Sequence, residues 1–440
     1  MENKKKETKE KIKLNDQNIF TFLLSFLILI YFFYGFFTDE NSAGAGGYSA
    51  DFKLIWKNLE LFKQNIIFNL NSAEYNDSRP PLSYILHIFF NPFTYNQEVF
   101  RLSNLLLSAI VPFLLFFTIK ENYPKLSNDL IILLSLTVTL SPYFRTTAYW
   151  ALGENYGIIF LLLSYITFSN FKKNLYNIRK GRQIFTVFLL CLFSSLVVYF
   201  DQKLVFLPLL ILISILNLKI TKNYKIFTLF LFFVFSLPYF YLIQIWGAII
   251  PPSAFEARGV GTSIHLFNPG YCLTILVIVS FPFIIVNKMN LIDFKNKIFN
   301  QRLFYVLLLF LIYLASISIF GDFESLQIEG KGAFHKLSLI FFQNNESRYM
   351  FTLLVFFIST IIIFIIFNDF TDLLIINYFL ILSLFTFPFY QEYLDPLIYI
   401  LIFSFFKSRF LIKSKSDVCM IVLYFFIFSL GAKYYYAVTI

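Results

Sequence analysis

Two adjacent carboxylates, Asp39 and Glu40, follow the first long apolar run of the chain, and an arginine, Arg79, stands just before Pro80-Pro81-Leu82 and the next apolar stretch. A carboxylate at a membrane surface can take a proton from a hydroxyl nucleophile. A guanidinium can hold a phosphate through two parallel hydrogen bonds. Together these are the parts for chemistry on a lipid-linked phosphate. Acids are disfavoured at a helix C-terminal end, where the backbone dipole is already negative, so solvation alone is a weak account of the Asp-Glu pair. Pro80 and Pro81 impose an extended approach to the next segment. An arginine in that place could also snorkel to lipid headgroups.

Glu154 is a further acid, at the start of an apolar run and within Trp150-Ala151-Leu152-Gly153-Glu154. Capping of a helix N-terminus is its ordinary role, and a second active-site carboxylate is the alternative. Arg258 and His265 share a Gly-containing segment that could fold over a ligand, and Arg348-Tyr349 opens a later apolar run. Lys331 and Lys336 could add positive charge; headgroup contact is the competing reading for all of these basic residues. The catalytic candidates are therefore Asp39, Glu40 and Glu154. The substrate-binding candidates are Arg79, Arg258, His265, Arg348 and Tyr349. The histidines (His87, His265, His335) are far apart with no HExxH, so no histidine metal site is predicted. Cys191, Cys272 and Cys419 lie in apolar runs with no CxxC and read as small buried hydrophobes. No cofactor is required, although Asp39 and Glu40 could hold a divalent metal. Gly44-Ala45-Gly46-Gly47 lacks the GK[ST] of a phosphate loop.

The elements that must position these groups are membrane helices. Of 440 residues, 58% are hydrophobic, only 14% are charged, and 62 are Phe. Soluble chains are about half apolar and about a quarter charged. Repeated apolar runs of spanning length predict an all-α polytopic transmembrane bundle of about 11–13 spans. They fall near 19–37, 100–119, 129–144, 156–170, 184–200, 204–218, 226–246, 271–286, 303–320, 349–367, 373–389, 397–406 and 418–432. The net charge of +10 would suggest nucleic acid in a soluble protein. Here the basic residues cluster between apolar runs and report topology instead, so no nucleic-acid partner is expected. With the Lys-rich tail 1–18 in the cytoplasm, 24 of the 36 Lys and Arg residues fall on the inner side. The outer side then carries the long loops 38–99, 247–270 and 321–348, and short ones near 145–155, 201–203 and 390–396. Pro81 to Phe93 is apolar but short and broken by Asn91-Pro92, which predicts a re-entrant or surface-lying helix on that side. The first apolar run is too long for a signal-peptide core and is expected to stay as a helix.

The order and side of these landmarks resemble the GT-C superfamily of integral-membrane glycosyltransferases. The resemblance runs from Asp39-Glu40, through Arg79-Pro80-Pro81-Leu82 and Arg101-Leu102, to Ser141-Pro142, Arg145 and Glu154, and then to Arg348-Tyr349. It covers residues 19–246, which would form the catalytic membrane module, more fully than the variable region 247–440. Within that superfamily the chain is similar to the dolichyl-phosphate-glucose α-1,2-glucosyltransferases, through Tyr149 to Glu154, Gly261 to Pro269 and Asn344 to Tyr349, and bacterial members that decorate lipopolysaccharide or other envelope glycans fit at least as well. The Trp-Trp-Asp-Tyr-Gly signature of oligosaccharyltransferase subunits is absent. The family uses polyprenyl-phosphate sugars at the non-cytoplasmic face, without nucleotide. The resemblance implies Asp39 as base with Glu40 beside it, Arg79 on the donor phosphate, and Glu154 orienting the acceptor. It implies membrane lipids, a polyprenyl-phosphate sugar donor and a glycan or glycolipid acceptor as partners. A bacterial plasma membrane is the expected location, or the endoplasmic reticulum in a eukaryote.

Two other functions remain open at this point. A transporter or flippase would place charge inside the spans and often carries internal repeats. The span interiors here are nearly free of charge and no repeat is visible. A polymerase or ligase of lipid-pyrophosphate-linked glycans would lean on the basic loops near 258 and 331–348 rather than on Asp39.

Overall fold

A computed structural model describes residues 2–41, 48–174, 180–254, 264–287, 301–321, 331–367, 369–386, 389–408 and 410–439. Every regular element among the described residues is helical, with no strand. Seven helices there are long and apolar enough to cross a membrane, and a bent pair makes eight if it counts as one broken span rather than a re-entrant loop. The seven are Ile19–Phe37, Gln97–Asn122, Gly181–Phe200, Lys222–Trp246, Asn268–Val286, Asn345–Ile366 and Lys415–Ala437. Shorter apolar helices, Gln202–Asn217, Val306–Phe320 and Phe370–Leu384, and the 20-residue helix Glu154–Lys173 pack with them. The chain is a multi-pass, all-α membrane protein, with seven to eight helices among the described residues long and apolar enough to cross against the 11–13 spans predicted, because several of the apolar runs form helices too short to cross.

The bent pair shows how the sequence steers the chain toward the site. Asn128–Leu140 and Pro142–Tyr149 meet at 72°. Pro142 pushes Ser141 out of the helical region, and Ser141 (φ −62°, ψ 125°) becomes the cap of the next helix. Its Oγ accepts from the Phe144 N–H at 3.1 Å. The turn carries Tyr143, Arg145 and Tyr149 inward, and all of residues 141–150 are buried.

Burial separates core helices from the periphery. Asn268–Val286 is 78% buried, whereas Lys222–Trp246 is 17% buried and faces lipid along most of its length. The first packs against Asn345–Ile366 and Phe370–Leu384. That close approach needs Gly270, where a Cβ would lie 2.2 Å from the Phe356 ring. One hydrophobic core runs across both halves of the sequence, from Ile28 to Phe425.

Two segments are too short to cross. Leu82–Phe90 spans about 14 Å at about 1.5 Å per residue, half of a hydrocarbon core of about 30 Å. It packs on the amphipathic helix Lys53–Gln64 of the first outer loop, as a surface or re-entrant helix would. Leu397–Phe403 is shorter still, and all of its residues are buried. The chain leaves it as non-helical backbone through Phe406, which membrane depth tolerates because protein surrounds it. Asn122 donates to the Phe403 carbonyl at 2.7 Å, and Tyr399 to the Leu134 carbonyl at 2.6 Å.

Candidate functional site

Among the described residues, several charged side chains of the predicted outer loops converge at one end of the bundle. Glu40 is buried and fully engaged there. Arg145 donates through Nε to Oε1 and through Nη2 to Oε2, both at 2.8 Å, and Lys433 Nζ lies 3.1 Å from Oε2. Burial alone would raise the Glu40 carboxyl; Arg145 and Lys433 outweigh it and hold the group below its ordinary 4.5. The triad ties the first helix to the bent pair and to the last helix. Gly35 makes room for it, since a Cβ there would lie 2.4 Å from Arg145 Nη2.

Asp39 takes the left-handed conformation (φ 50°) that aspartate tolerates better than most residues. Its side chain is exposed, and Oδ1 accepts from Arg101 Nη2 at 2.7 Å. Arg101 is itself buried, 4.1 Å from the centre of the Trp150 ring. A divalent metal at this pair would compete with Arg145 and Lys433 for Glu40 and with Arg101 for Asp39.

Arg79 and Glu154, distant in sequence, form one cluster. Arg79 Nε donates to Glu154 Oε1 at 3.0 Å, and Nη2 pairs with the same oxygen. Arg79 Nη1 reaches Asp77 Oδ1 at 3.3 Å, and the Arg79 backbone N–H donates to that oxygen at 3.0 Å. Tyr84 donates to Asp77 Oδ2, and Tyr143 donates to Glu154 Oε1 at 2.7 Å. Glu154 Oε2 is buried without a hydrogen-bond partner. Burial would weaken the Arg79 charge, but Glu154 and Asp77 keep its pKa well above the ordinary arginine value. The Pro-Pro step after Arg79 and the Asp77 turn before it fix where the guanidinium points.

A cavity of about 710 Å³ opens onto this cluster. Its polar lining comes from outer loops: Ser78, Arg79, Glu154, Asp201, Lys203 and Glu392. Its apolar lining comes from helix interiors, among them Leu209, Leu212, Phe232, Phe235 and Phe379. Leu209, Phe240 and Ile249 of its lining are also exposed. Lys203 Nζ is 2.9 Å from Asp201 Oδ2 and lies over the Tyr143 and Tyr393 rings at 5.9 and 5.6 Å.

Arg79 and Lys203 face Asp77, Glu154, Asp201 and Glu392. Burial raises Asp201 against the pull of Lys203. Burial, then the Asp51 and Glu154 carboxylates, push Glu392 up to about 8.

A second cavity, of about 640 Å³, is lined by Tyr143, Lys336, Tyr390, Glu392, Asp395 and Tyr434, among others. Lys336 Nζ sits 4.0 Å from the Tyr436 ring centre and 4.4 Å from that of Tyr435. Glu392 lines both cavities.

The structure thus brings Arg79 and Glu154 together at a cavity. Asp39 and Glu40 stand at the same end of the bundle and line neither large cavity. His265 lies outside both, with its N–H bonded to the Leu384 carbonyl at 2.8 Å. Arg348 donates to the Phe342 carbonyl at 2.7 Å and so closes the helix Ala333–Phe341, while Tyr349 packs on Phe267. Arg258 lies outside the described residues. Asp77, Tyr143, Lys203, Glu392 and Asp395 were not singled out in the sequence. Their signal was charge in outer connectors as short as Asp201-Gln202-Lys203, which are too short to keep every charge in solvent.

No protein-family model, curated protein or solved structure matches this chain.

Proposed function

We propose that the chain is a glycosyltransferase that moves a sugar from a polyprenyl-phosphate donor to a lipid-linked or envelope glycan at the non-cytoplasmic face of its membrane. The observation that carries this reading is the first cavity, whose lining joins apolar side chains of the helices to the cations Arg79 and Lys203. A prenyl chain matches the first part and a phosphate the second. The resemblance to the GT-C superfamily points the same way.

On this reading Arg79 and Lys203 neutralise the phosphate as it departs, where a preorganised charge in a partly dry site acts most strongly. Phosphate is already a good leaving group, so neither nucleotide nor metal is needed. The unpartnered Glu154 Oε2 is available to a hydroxyl of the bound sugar. Inversion at the sugar carbon is the favoured course, and the plasma membrane of a bacterium is the favoured setting.

The test is transfer of radiolabelled sugar from a panel of polyprenyl-phosphate donors to a membrane lipid extract by the purified, reconstituted chain. Arg79→Lys keeps the charge but loses the fork. It should weaken donor binding roughly ten- to a hundredfold, the worth of a charged hydrogen bond. No transfer from any donor, together with substrate-dependent uptake into the liposomes, would replace this reading with a transporter.

A further inference from the structure

We propose that Glu392 is the group that takes the proton from the acceptor hydroxyl, and that the second cavity admits the acceptor to it. The inference rests on the transferase reading and assigns a residue that the sequence did not mark. Glu392 sits in the short turn Gln391–Tyr393 and lines both cavities. A base for this reaction must touch the acceptor oxygen while the donor carbon lies on its other side, and a residue shared by two cavities meets that requirement.

The neighbouring acids do not. Glu40 has both oxygens engaged by Arg145 and Lys433. Asp39 lines neither cavity. Glu154 lines only the first cavity and is paired with Arg79, and Asp395 lines only the second. Among the described residues no side chain hydrogen-bonds the Glu392 carboxyl. The charged groups that act on it are Asp51, Glu154, Lys203 and Arg79, with Asp395 on its own loop and Lys336 lining the second cavity. Tyr143 forms part of the wall between the cavities: it lines the second, and its hydroxyl reaches Glu154 in the first.

The step balances without an added reactant. The acceptor O–H gives its proton to a Glu392 oxygen as the acceptor oxygen bonds to the sugar carbon. The bond from that carbon to the phosphate oxygen breaks, and its electron pair stays with the phosphate. Glu392 then passes the proton to the departed phosphate, which leaves as the polyprenyl phosphate monoester, and the carboxylate is restored.

The experiment compares wild type, Glu392→Gln, Glu392→Asp and Asp39→Asn, reconstituted in liposomes. It follows transfer from the active polyprenyl-phosphate sugar across pH, and binding of farnesyl phosphate separately. Wild-type kcat/KM should rise with pH through about 8, where the Glu392 carboxyl loses its proton. Glu392→Gln should bind farnesyl phosphate as wild type does, lose the rising limb, and transfer roughly a hundredfold or more slowly, the usual worth of a general base. Glu392→Asp should keep a titrating limb. Wild-type rate and profile in Glu392→Gln would overturn the inference while leaving the transferase reading intact. So would loss of transfer confined to Asp39→Asn. If Glu392→Gln fails to fold, the wild-type profile decides, and a profile flat around pH 8 overturns the inference. A wild type that transfers from no donor overturns the transferase reading and the inference with it.

Discussion

At the scale of single residues, the end of the bundle that gathers the ion pairs divides its charges between holding the fold and facing the cavities. Glu40 and Arg145 belong to the first group. Their pairing is buried and bidentate, with Lys433 as a third member. Removing one partner strands an uncompensated buried charge, so Glu40→Ala should cost about 3–5 kcal/mol of stability, read as a lower unfolding temperature in detergent. The sign of its pH dependence follows from the lowered carboxyl. Its stabilising contribution is fully present above the ordinary value of 4.5 and is lost as pH falls through the lower folded value. Glu40→Ala should therefore show a flatter acid limb of stability than wild type, and equal acid limbs would remove the triad from its structural role. Arg79 belongs to the second group, although it too is ion-paired. Its partners line or border the cavity, and its side chain keeps 24% of its surface exposed. Sequence alone ranked Asp39-Glu40 above Glu392 because adjacent acids at a helix end are conspicuous. It held no sign that Arg145 and Lys433, remote along the chain, would occupy both oxygens of Glu40.

At the scale of elements, apolar length and Pro or Gly punctuation made most of the fold legible. The Ser141-Pro142 break, the short Leu82–Phe90 helix and the long first outer loop all follow from local rules. Burial was less legible, because a core helix and a lipid-facing helix carry similar residues. Asn268–Val286 and Lys222–Trp246 have equal hydropathy, 2.2, yet 78% of one and 17% of the other is buried. Packing detail tells them apart, and Gly270 is the instance that can be tested. Gly270→Ala places a methyl in the Phe356 ring and should destabilise by about 1–3 kcal/mol through overpacking. Phe356→Leu should relieve part of that loss in the double variant, by a non-additive term that thermal unfolding in detergent would reveal. Strict additivity would mean that the two residues do not share this contact.

At the scale of the molecule, the bundle has two unlike ends. One gathers the ion pairs of Glu40, Arg79, Arg101 and Lys203. The other is closed by Glu121 with Lys173 at 2.9 Å and by Asp372, which accepts from the backbone N–H groups of Lys407 and Ser408. The two cavities could not be read from the sequence, because Phe lining a cavity and Phe facing lipid look the same along the chain. The central claim is that a lipid phosphate occupies the cavity that ends at Arg79 and Lys203. The most direct measurement is photo-crosslinking with a polyprenyl phosphate that carries a diazirine in its chain, in liposomes, followed by peptide mapping. Labelling should concentrate on Phe206–Asn217 and Lys222–Trp246, around Leu209, Leu212, Phe232 and Phe235, and should fall when excess unlabelled polyprenyl phosphate is added. Labelling spread evenly over the other lipid-facing helices and insensitive to that competitor would contradict it.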